Sequence, residues 1–290
     1  MAQQTQEAQQ QPQTKSAIVV AEDKAERKKD HLRVLVTNAT IPMAHTIATA
    51  VAQGYVFGYD QPIILHLLDA KGTMGMLEGL VLELLDCTYP LLRQVLMTTV
   101  DDSAFTGIDA AFLLYETQNA PVDQGVQLFR RYGAALEKYA KRSVKVVVCG
   151  CQVAINAFAC IDSAPSIDSR NISALTRLEH NQALAQIASK LAVAPNKVRN
   201  VVVWGGYGRV PDAYNAGTPE GTWVSMGVVS NGAYGVPKGI VYSFPVRIEN
   251  KEWHIVEGID VNPNIKERID DSAQRTMNEI QSAVRVGVAA

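Results

Sequence analysis

The amino-acid sequence lacks the features that mark membrane, secreted and nucleic-acid-binding proteins. No uninterrupted apolar run reaches the length of a membrane span, and the chain starts with polar, glutamine-rich residues rather than with a signal peptide. An excess of basic residues is missing as well, because 27 Lys and Arg stand against 29 Asp and Glu, for a net charge of -2. Since proteins that bind nucleic acid carry basic patches, we expect no nucleic-acid partner and no membrane insertion.

Cysteine is scarce too. The chain has four cysteines, which do not form the disulfide framework of a small secreted domain: Cys87, Cys149, Cys151 and Cys160. The run VKVVVCGC has no matching Cys or His pair, so it predicts buried thiols in a strand and no metal site. His45, His66 and His254 stand singly in the pattern, so we expect each to be a solvent-exposed or core residue rather than a ligand.

The chain does contain enough apolar residues for a large core, since 47% of its 290 residues are hydrophobic. Its beginning differs in composition: MAQQTQEAQQQPQ is a low-complexity stretch, and AEDKAERKKD is a charge run with no apolar face to bury. We expect residues 1–30 to be a disordered tail, either an inert extension or a tether within an assembly. Because the first arginine is Arg27, this tail does not fit an Arg-rich transit peptide, and the cytoplasm is the expected compartment.

From Leu32 onward the pattern alternates between strands and helices. Strand patterns such as LRVLV, PIILHLLD and VKVVVCG are separated by segments with apolar residues at helical spacing, such as TMGMLEGLVLELLD. This order predicts an α/β fold with a doubly wound, Rossmann-type, mostly parallel sheet over residues 31–155. The later segments WVSMGVVS, IVYSFPVRIE and WHIVEGI predict antiparallel strands in an α+β domain over residues 156–290.

The first predicted strand ends in RVLVTNATIPMA, where a dinucleotide-binding fold normally has glycines that let a pyrophosphate approach. Asn38, Ile41 and Ala44 stand at the spacing of those glycines, and Pro42 lies among them. Because a residue before proline prefers extended backbone, we expect Ile41 outside the helix, Thr40 or Ile41 at its cap, and Pro42 in its first turn, where it removes a donor from the anion site. The turn therefore predicts a degenerate cofactor-binding loop.

Asp69 ends the second predicted strand, and two interpretations of it stay open. An acid at this point of a dinucleotide-binding fold binds the ribose hydroxyls of the cofactor. An acid at the carboxyl end of a strand also commonly caps a helix or a turn.

Several longer stretches carry a resemblance that covers nearly the whole chain from Leu32. They include DQPIILHLLD, ELLDCTYPLL, LTRLEHNQALAQIASKL, GTPEGTWVSMGVVSNGAYGVPKG and WHIVEG. With them the chain resembles the cytosolic type of NAD-dependent malate dehydrogenase, in the lactate/malate dehydrogenase superfamily. The resemblance implies hydride transfer between NAD and a 2-hydroxy or 2-oxo dicarboxylic acid, with a histidine that moves the hydroxyl proton.

Compared with that family, the positions that perform the reaction have changed. Tyr207 stands in place of the histidine, Glu179 in place of the aspartate that orients it, and Gln182 in place of an arginine that binds substrate. Cys151 replaces the asparagine of an Asn-Pro pair that helps to hold cofactor and substrate. A phenol has an unperturbed pKa near ~10, so at neutral pH it donates a hydrogen bond but is a poor base.

The resemblance also indicates missing segments. Where the family has a mobile loop with arginines, this chain has no Lys or Arg between residues 94 and 129. Between Asp212 and Gly217 the family has helices that line the substrate cleft, and this chain has only AYNA. The C-terminal α+β domain of malate dehydrogenase type is therefore expected to be truncated.

These positions predict a catalytically inactive, malate dehydrogenase-like pseudoenzyme that acts as a structural or protein-interaction subunit of a larger assembly. Two alternatives stay open, an NAD-dependent malate/oxaloacetate oxidoreductase and a non-catalytic sensor of nicotinamide nucleotides. The expected cofactor is none, or NAD if its binding survives. The expected partners are proteins, as a homodimer, as a heterodimer with an active paralogue, or in a larger complex.

Overall fold

The computed structural model describes residues 30–116, 121–199, 201–205, 210–213, 223–250 and 252–286. The strands in these ranges are β1 (Leu32–Thr37), β2 (Ile63–Leu68), β3 (Leu92–Thr98), β4 (Ala110–Tyr115), β5 (Lys145–Gly150), β6 (Ile172–Ala174), β7 (Val201–Trp204), β8 (Val210–Ala213), β9 (Val224–Val229), β10 (Val241–Glu249) and β11 (Glu252–Ile255). The α-helices are α1 (Pro42–Ala52), α2 (Met74–Asp86), α3 (Asp101–Phe105), α4 (Val122–Tyr139), α5 (Val153–Asp162), α6 (Arg177–Leu191) and α7 (Pro263–Val286). The expected tail lies outside these residues, except for Asp30.

Nine strands form one mixed sheet in the order β11-β10-β9-β6-β5-β4-β1-β2-β3. The six strands from β3 to β6 in this order are parallel to their neighbours. The antiparallel strands β9, β10 and β11 extend the sheet beyond β6, while β7 and β8 pair separately. The strand order confirms the expected doubly wound, mostly parallel fold with antiparallel strands in the C-terminal part.

The core lies on both faces of the parallel strands. Buried residues of α1 and α2 pack on one face, and those of α4 and α5 pack on the other. The helices therefore change faces where β1 and β4 lie side by side. In open α/β sheets, ligands bind in the crevice at the carboxyl ends of the strands at such a switch point.

The start of α1 confirms the expectation from its proline. Ile41 is the N-cap residue with extended backbone (φ −80°, ψ 152°), and Pro42 opens the helix. A proline is tolerated there because the first amide groups of a helix have no intrahelical acceptor.

Two elements of the parallel region have no clear sequence pattern. Helix α5 is apolar on nearly all sides, with seven of its ten residues buried, so it lacks an amphipathic period. Strand β6 has only three residues, too few to show alternation.

His66 and His45 contact groups of the protein itself. His66 is buried in β2 with its Nδ1 2.8 Å from the carbonyl oxygen of Ala104, and burial lowers its pKa, which favours the neutral ring. His45 is exposed on α1, with its Nε2 3.1 Å from the carboxylate of Glu83.

Across the described ranges, no helix has both the length and the apolar composition of a membrane span.

Candidate functional site

The turn between β1 and α1 lies at the switch point of the sheet. Its first residue, Asn38, has a left-handed backbone (φ 47°), a conformation that glycine adopts easily and asparagine tolerates. The Asn38 side chain donates a hydrogen bond of 2.9 Å from Nδ2 to the carbonyl oxygen of Leu114 in β4. Asn38 therefore keeps the backbone path of a glycine turn while its side chain bridges the ends of β1 and β4.

Three backbone N–H groups of this turn are bound within the protein. Ala39 donates to the carbonyl of Leu68 (3.2 Å), and Ile41 donates to the carbonyl of Asn38 (3.2 Å). The N–H of Thr40 donates to Oδ2 of Asp69 (2.9 Å). Pro42 has no N–H. Three donors of the turn are therefore used by protein acceptors and the one at residue 42 is missing, whereas the N–H of Met43, in the first turn of α1, has no acceptor among the described residues.

Asp69 holds the turn against the end of β2. Its Oδ2 also accepts a hydrogen bond of 2.7 Å from Oγ1 of Thr40, and its Oδ1 accepts one of 2.7 Å from the N–H of Ala70. The carboxylate is half-buried. Both oxygens thus bind groups of the protein itself, in the manner of a turn cap.

The other two residues of the altered glycine pattern belong to the core side of the turn. Ile41 is half-buried and packs against the cluster formed by α1, α2 and the strands, whereas Ala44 is fully buried. A small residue at the position of Ala44 allows close packing of helix on strand, which is also what the third glycine of the dinucleotide pattern provides.

Cys151 lies at the carboxyl end of β5. Gly150 before it has φ +103°, and a Cβ there would meet the carbonyl oxygen of Tyr115 at 2.1 Å, so only glycine fits this bend. The N–H of Cys151 donates to that same oxygen (2.7 Å), and its carbonyl accepts from Nδ2 of Asn156 (3.0 Å).

The thiols of Cys149 and Cys160 are buried as expected, with pKa values raised to about 12 by burial, but Cys151 is only half-buried. The expectation of a buried thiol is wrong for Cys151, because β5 ends one residue before it.

Helix α6 carries two of the predicted site residues. Glu179 is half-buried in its first turn, and Gln182 is exposed one turn later. Tyr207, the third predicted position, lies outside the described residues, as do residues 214–222 at the expected shortening. Residues 117–120, at the connection that lacks arginines, lie outside them as well.

A chain of buried polar groups lies beside β7, just before the segment that carries Tyr207. His180 of α6 places Nδ1 2.9 Å from Oγ of Ser225, which also accepts a 3.1 Å bond from the N–H of Val203. The carbonyl of Val203 accepts a 2.7 Å bond from Oγ of Ser243, which lies 2.9 Å from Oγ1 of Thr176. Because Ser225 already accepts a bond, its own proton is available to His180. This chain fixes α6 to β7, β9 and β10.

The structure brings four of the predicted residues together in one place. Asn38, Ile41, Pro42 and Asp69 form the turn at the switch point, with Ala44 directly below it. The other predicted residues lie elsewhere: Cys151 follows β5, and Glu179 and Gln182 belong to α6. The sequence patterns gave Thr40 only as a possible cap of α1 and missed its contact with Asp69, for which a separation of 29 residues leaves no local signal. Among the described residues, no group of three His, Cys, Asp or Glu side chains is placed to hold a metal ion.

A cavity of about 790 Å³ opens beside this turn. Asn38 and Asp69 form one end of it, and α3 and α4 form its sides. Its size is within the range of small-molecule sites, about 300–1,000 Å³. The described part of the switch point therefore offers space for a ligand although most donors of the turn are occupied.

Comparisons with known sequences point to one family. A model of the lactate/malate dehydrogenase, alpha/beta C-terminal domain matches residues 215–286. The cytoplasmic malate dehydrogenase of Homo sapiens is 38% identical over 323 aligned positions, which cover 87% of this chain and 97% of the relative. Malate dehydrogenase 3, cytoplasmic, of Arabidopsis thaliana is 33% identical and covers 87% and 95%. The alignment with the human protein is longer than the 290 residues of this chain, so the relative has stretches without a counterpart here.

Solved structures share the fold. Malate dehydrogenase from Naegleria fowleri superposes with a TM-score of 0.81 at 24% identity, covering 89% of this chain and 99% of the other. Lactate dehydrogenase from Trichomonas vaginalis, in complex with NADH and oxamate, gives a TM-score of 0.81 at 26% identity, with coverage of 89% and 100%.

The buried histidine of α6 gives a pH prediction. Burial, and secondarily the charge of Arg177, lowers the pKa of His180 to about 4, whereas in the unfolded chain it is near 6.5. Because the unfolded state binds this proton at higher pH, the free energy of unfolding falls as the pH drops from about 6.5 to 4, by at most about 1.4 kcal/mol per pH unit from this group. NMR titration of the His180 ring should show a neutral imidazole at pH 6.

The matched control is His180→Gln, which should reduce the slope of the unfolding free energy against pH in that interval. His66 remains in both proteins, so its contribution cancels in the comparison. A His180 ring that titrates near 6.5 in the folded protein would contradict the prediction.

Proposed function

The chain belongs to the lactate/malate dehydrogenase family, and we propose that it is a member that no longer catalyses the dehydrogenase reaction and acts as a protein-interaction subunit. The family relationship makes it a malate dehydrogenase-type oxidoreductase homologue. The proposal concerns what this particular chain does with that fold, because function depends on the residues of a site and not on the fold that carries them.

The occupied turn at the switch point carries the proposal. A dinucleotide needs free N–H groups at the start of α1, and here Thr40 donates both its N–H and its hydroxyl to Asp69. NAD binding at the usual place would require these bonds to break while Pro42 still supplies no donor. We therefore propose that NAD has little or no affinity for the free protein.

The altered reaction residues support the same conclusion. Hydride transfer to or from a hydroxy acid needs a group that takes up and returns a proton near neutral pH, and Tyr207 replaces the imidazole that does so in the family. Gln182 carries no charge, so it cannot form the bidentate ion pair by which an arginine holds a carboxylate. Glu179 stands in place of the aspartate that orients that imidazole in the family, and Tyr207 offers it no imidazole.

The second candidate is an NAD-dependent malate/oxaloacetate oxidoreductase. It is favoured by the 38% sequence identity to the human cytoplasmic malate dehydrogenase, because the alignment covers 97% of the length of that enzyme. Asp69 also stands at the end of β2, where such enzymes bind the ribose of the cofactor. A third, intermediate function is a sensor that binds the nicotinamide nucleotide through Asp69 without turnover.

An activity assay separates these functions. With the purified full chain, oxaloacetate and NADH, we expect a rate at least ~10⁴-fold below that of human cytoplasmic malate dehydrogenase, because removal of the general base alone typically costs ~10²–10⁴-fold. The Tyr207→Phe variant, which removes the phenol, should give the same background rate. Turnover that is clearly above background and is lost in Tyr207→Phe would contradict the proposal and support the oxidoreductase.

The surface of the molecule supports a protein partner. Helix α6 has only His180 and Ala188 buried, while Leu178 and Leu191 are 47% and 64% exposed. Few side chains of α6 are buried within the chain, whereas helices gain most of their stability from packing an apolar face, so its exposed leucines suit a partner. We propose that α6, together with the exposed Met76 and Leu82 of α2, forms an interface with a second copy of the chain or with an active paralogue. The proposed compartment is the cytoplasm, because the relatives are named as cytoplasmic enzymes.

Sedimentation analysis tests the pairing. We expect the chain, alone or mixed with an active malate dehydrogenase, to sediment as a dimer, and Leu178→Asp to weaken this dimer at least ~10-fold, because a buried unpaired charge is costly. Ile248→Asp is the control, since Ile248 is 59% exposed on β10, away from α6. A chain that remains monomeric in both samples, or a Leu178→Asp variant that dimerises normally, would contradict the proposal.

A further inference from the structure

The loop between α1 and β2 carries a group of exposed apolar side chains. Tyr55, Val56 and Tyr59 are 66%, 44% and 74% exposed, and the two tyrosines are the most exposed large hydrophobic residues in the described ranges. Their rings meet edge to face, with centroids 5.9 Å apart. These three residues, the aromatic patch, have the composition of an interaction surface, because tyrosine is enriched in protein interfaces.

The backbone of this loop holds the aromatic patch in a fixed arrangement. Phe57, in the middle of the loop, is half-buried and packs against the core cluster of α1, α2 and the strands. The N–H of Gly58 donates a 3.0 Å hydrogen bond to the carbonyl of Gly54. Gly54 has φ +85°, and a Cβ there would meet Cδ1 of Leu91 at 2.7 Å, so the bend requires glycine. A surface that is fixed before it binds loses less conformational entropy on binding.

The N-terminal segment of the chain joins the fold beside the aromatic patch. Nε2 of Gln61 donates a 2.8 Å hydrogen bond to the carbonyl oxygen of Asp30, the first described residue. Just after it, Leu32 pairs with Ile63 at the start of β1 and β2. Gln61 follows Tyr59 by two residues, which is about 7 Å of extended chain. Residues 1–29 are therefore attached to the fold next to the patch.

This N-terminal segment contains one apolar run. Ile18, Val19 and Val20 are consecutive, and Met1 is the other large apolar residue before Asp30. The ten residues from Val20 to Asp30 span at most ~35 Å, enough to reach the aromatic patch. We propose that the run Ile18–Val20 docks on the aromatic patch of its own chain. Because the run is attached to the protein, its effective concentration at the patch is high, which a separate partner lacks.

Docking gives the N-terminal tail a defined course. The strands β1 and β2 begin at this edge of the sheet, whereas the turn at the switch point lies at their carboxyl ends. With the run docked, the glutamine-rich residues 1–13 start from the edge opposite that turn and are available there to a partner in an assembly. The inference concerns neither the turn nor the reaction residues, so it holds whether or not the chain is catalytically active.

NMR of the full chain with 13C-labelled methyl groups tests the docking. We expect nuclear Overhauser contacts from the methyl groups of Val19 and Val20 to the rings of Tyr55 and Tyr59. In the variant Tyr55→Ala/Tyr59→Ala, these methyl shifts should move to the values of an unfolded chain. The fold should persist in this variant, because both side chains are exposed. Ile248→Ala, at an exposed position of β10, is the control and should leave the methyl shifts unchanged.

Proteolysis gives a second readout. Trypsin cuts after Lys24, between the run and the fold, and a docked run makes this site less accessible. We expect Tyr55→Ala/Tyr59→Ala and Val19→Ser/Val20→Ser each to speed this cleavage ~5-fold. The combined variant should be no faster than either one, because both changes break the same contact. Ala8→Ser, in the glutamine-rich stretch, is the matched control and should leave the rate unchanged.

Three results would overturn the inference. The first is unfolded-chain methyl shifts of Val19 and Val20 in the unmodified protein. The second is equal cleavage rates after Lys24 in all variants, or rate increases that add in the combined variant, because either would show that the run and the aromatic patch are not in contact. The third is a set of Overhauser contacts from labelled to unlabelled chains in a mixed sample, which would assign the run to the patch of a second copy.

Discussion

The bonds between Thr40 and Asp69 are the interaction on which the site depends. They join the first turn to the end of β2 and use the N–H that would otherwise face an anion at the start of α1. A carboxylate that accepts N–H and O–H groups is a strong acceptor, so the turn is stable without a ligand. Because Pro42 has no N–H, and Ala39, Thr40 and Ile41 donate to acceptors of the protein, most donors of the turn are not available to a bound phosphate.

The fold tolerates this change because the core below the turn is undisturbed. Ala44 is buried, Ile41 packs into the cluster of α1 and α2, and Asn38 takes the left-handed conformation of a glycine turn. Core packing and site chemistry are thus separate properties of the same stretch. A chain of this family can therefore keep its sheet and helices while it loses the groups that the reaction needs.

Much of the fold could be predicted from the sequence, because strands and amphipathic helices of normal length leave a periodic pattern. The proline limited the cap of α1 to Thr40 or Ile41, and the structure has Ile41 there. Helix α5 and strand β6 could not be predicted, since one is buried all round and the other is very short. Of the site, the sequence could predict which residues differ from the usual pattern, and it identified Asn38 and Asp69. Their hydrogen-bond partners could not be predicted, because these contacts are long-range: Thr40 and Asp69 are 29 residues apart.

Titration of the purified chain with NADH, followed by cofactor fluorescence, tests the closed turn most directly. The structure predicts no saturable binding up to ~1 mM, an affinity weaker than about −4 kcal/mol. The variant Asn38→Gly/Thr40→Ala/Pro42→Ala, which removes the hydroxyl bond to Asp69 and restores a backbone donor at residue 42, should bind NADH measurably more tightly. Saturable micromolar binding of NADH to the unmodified chain would contradict the account.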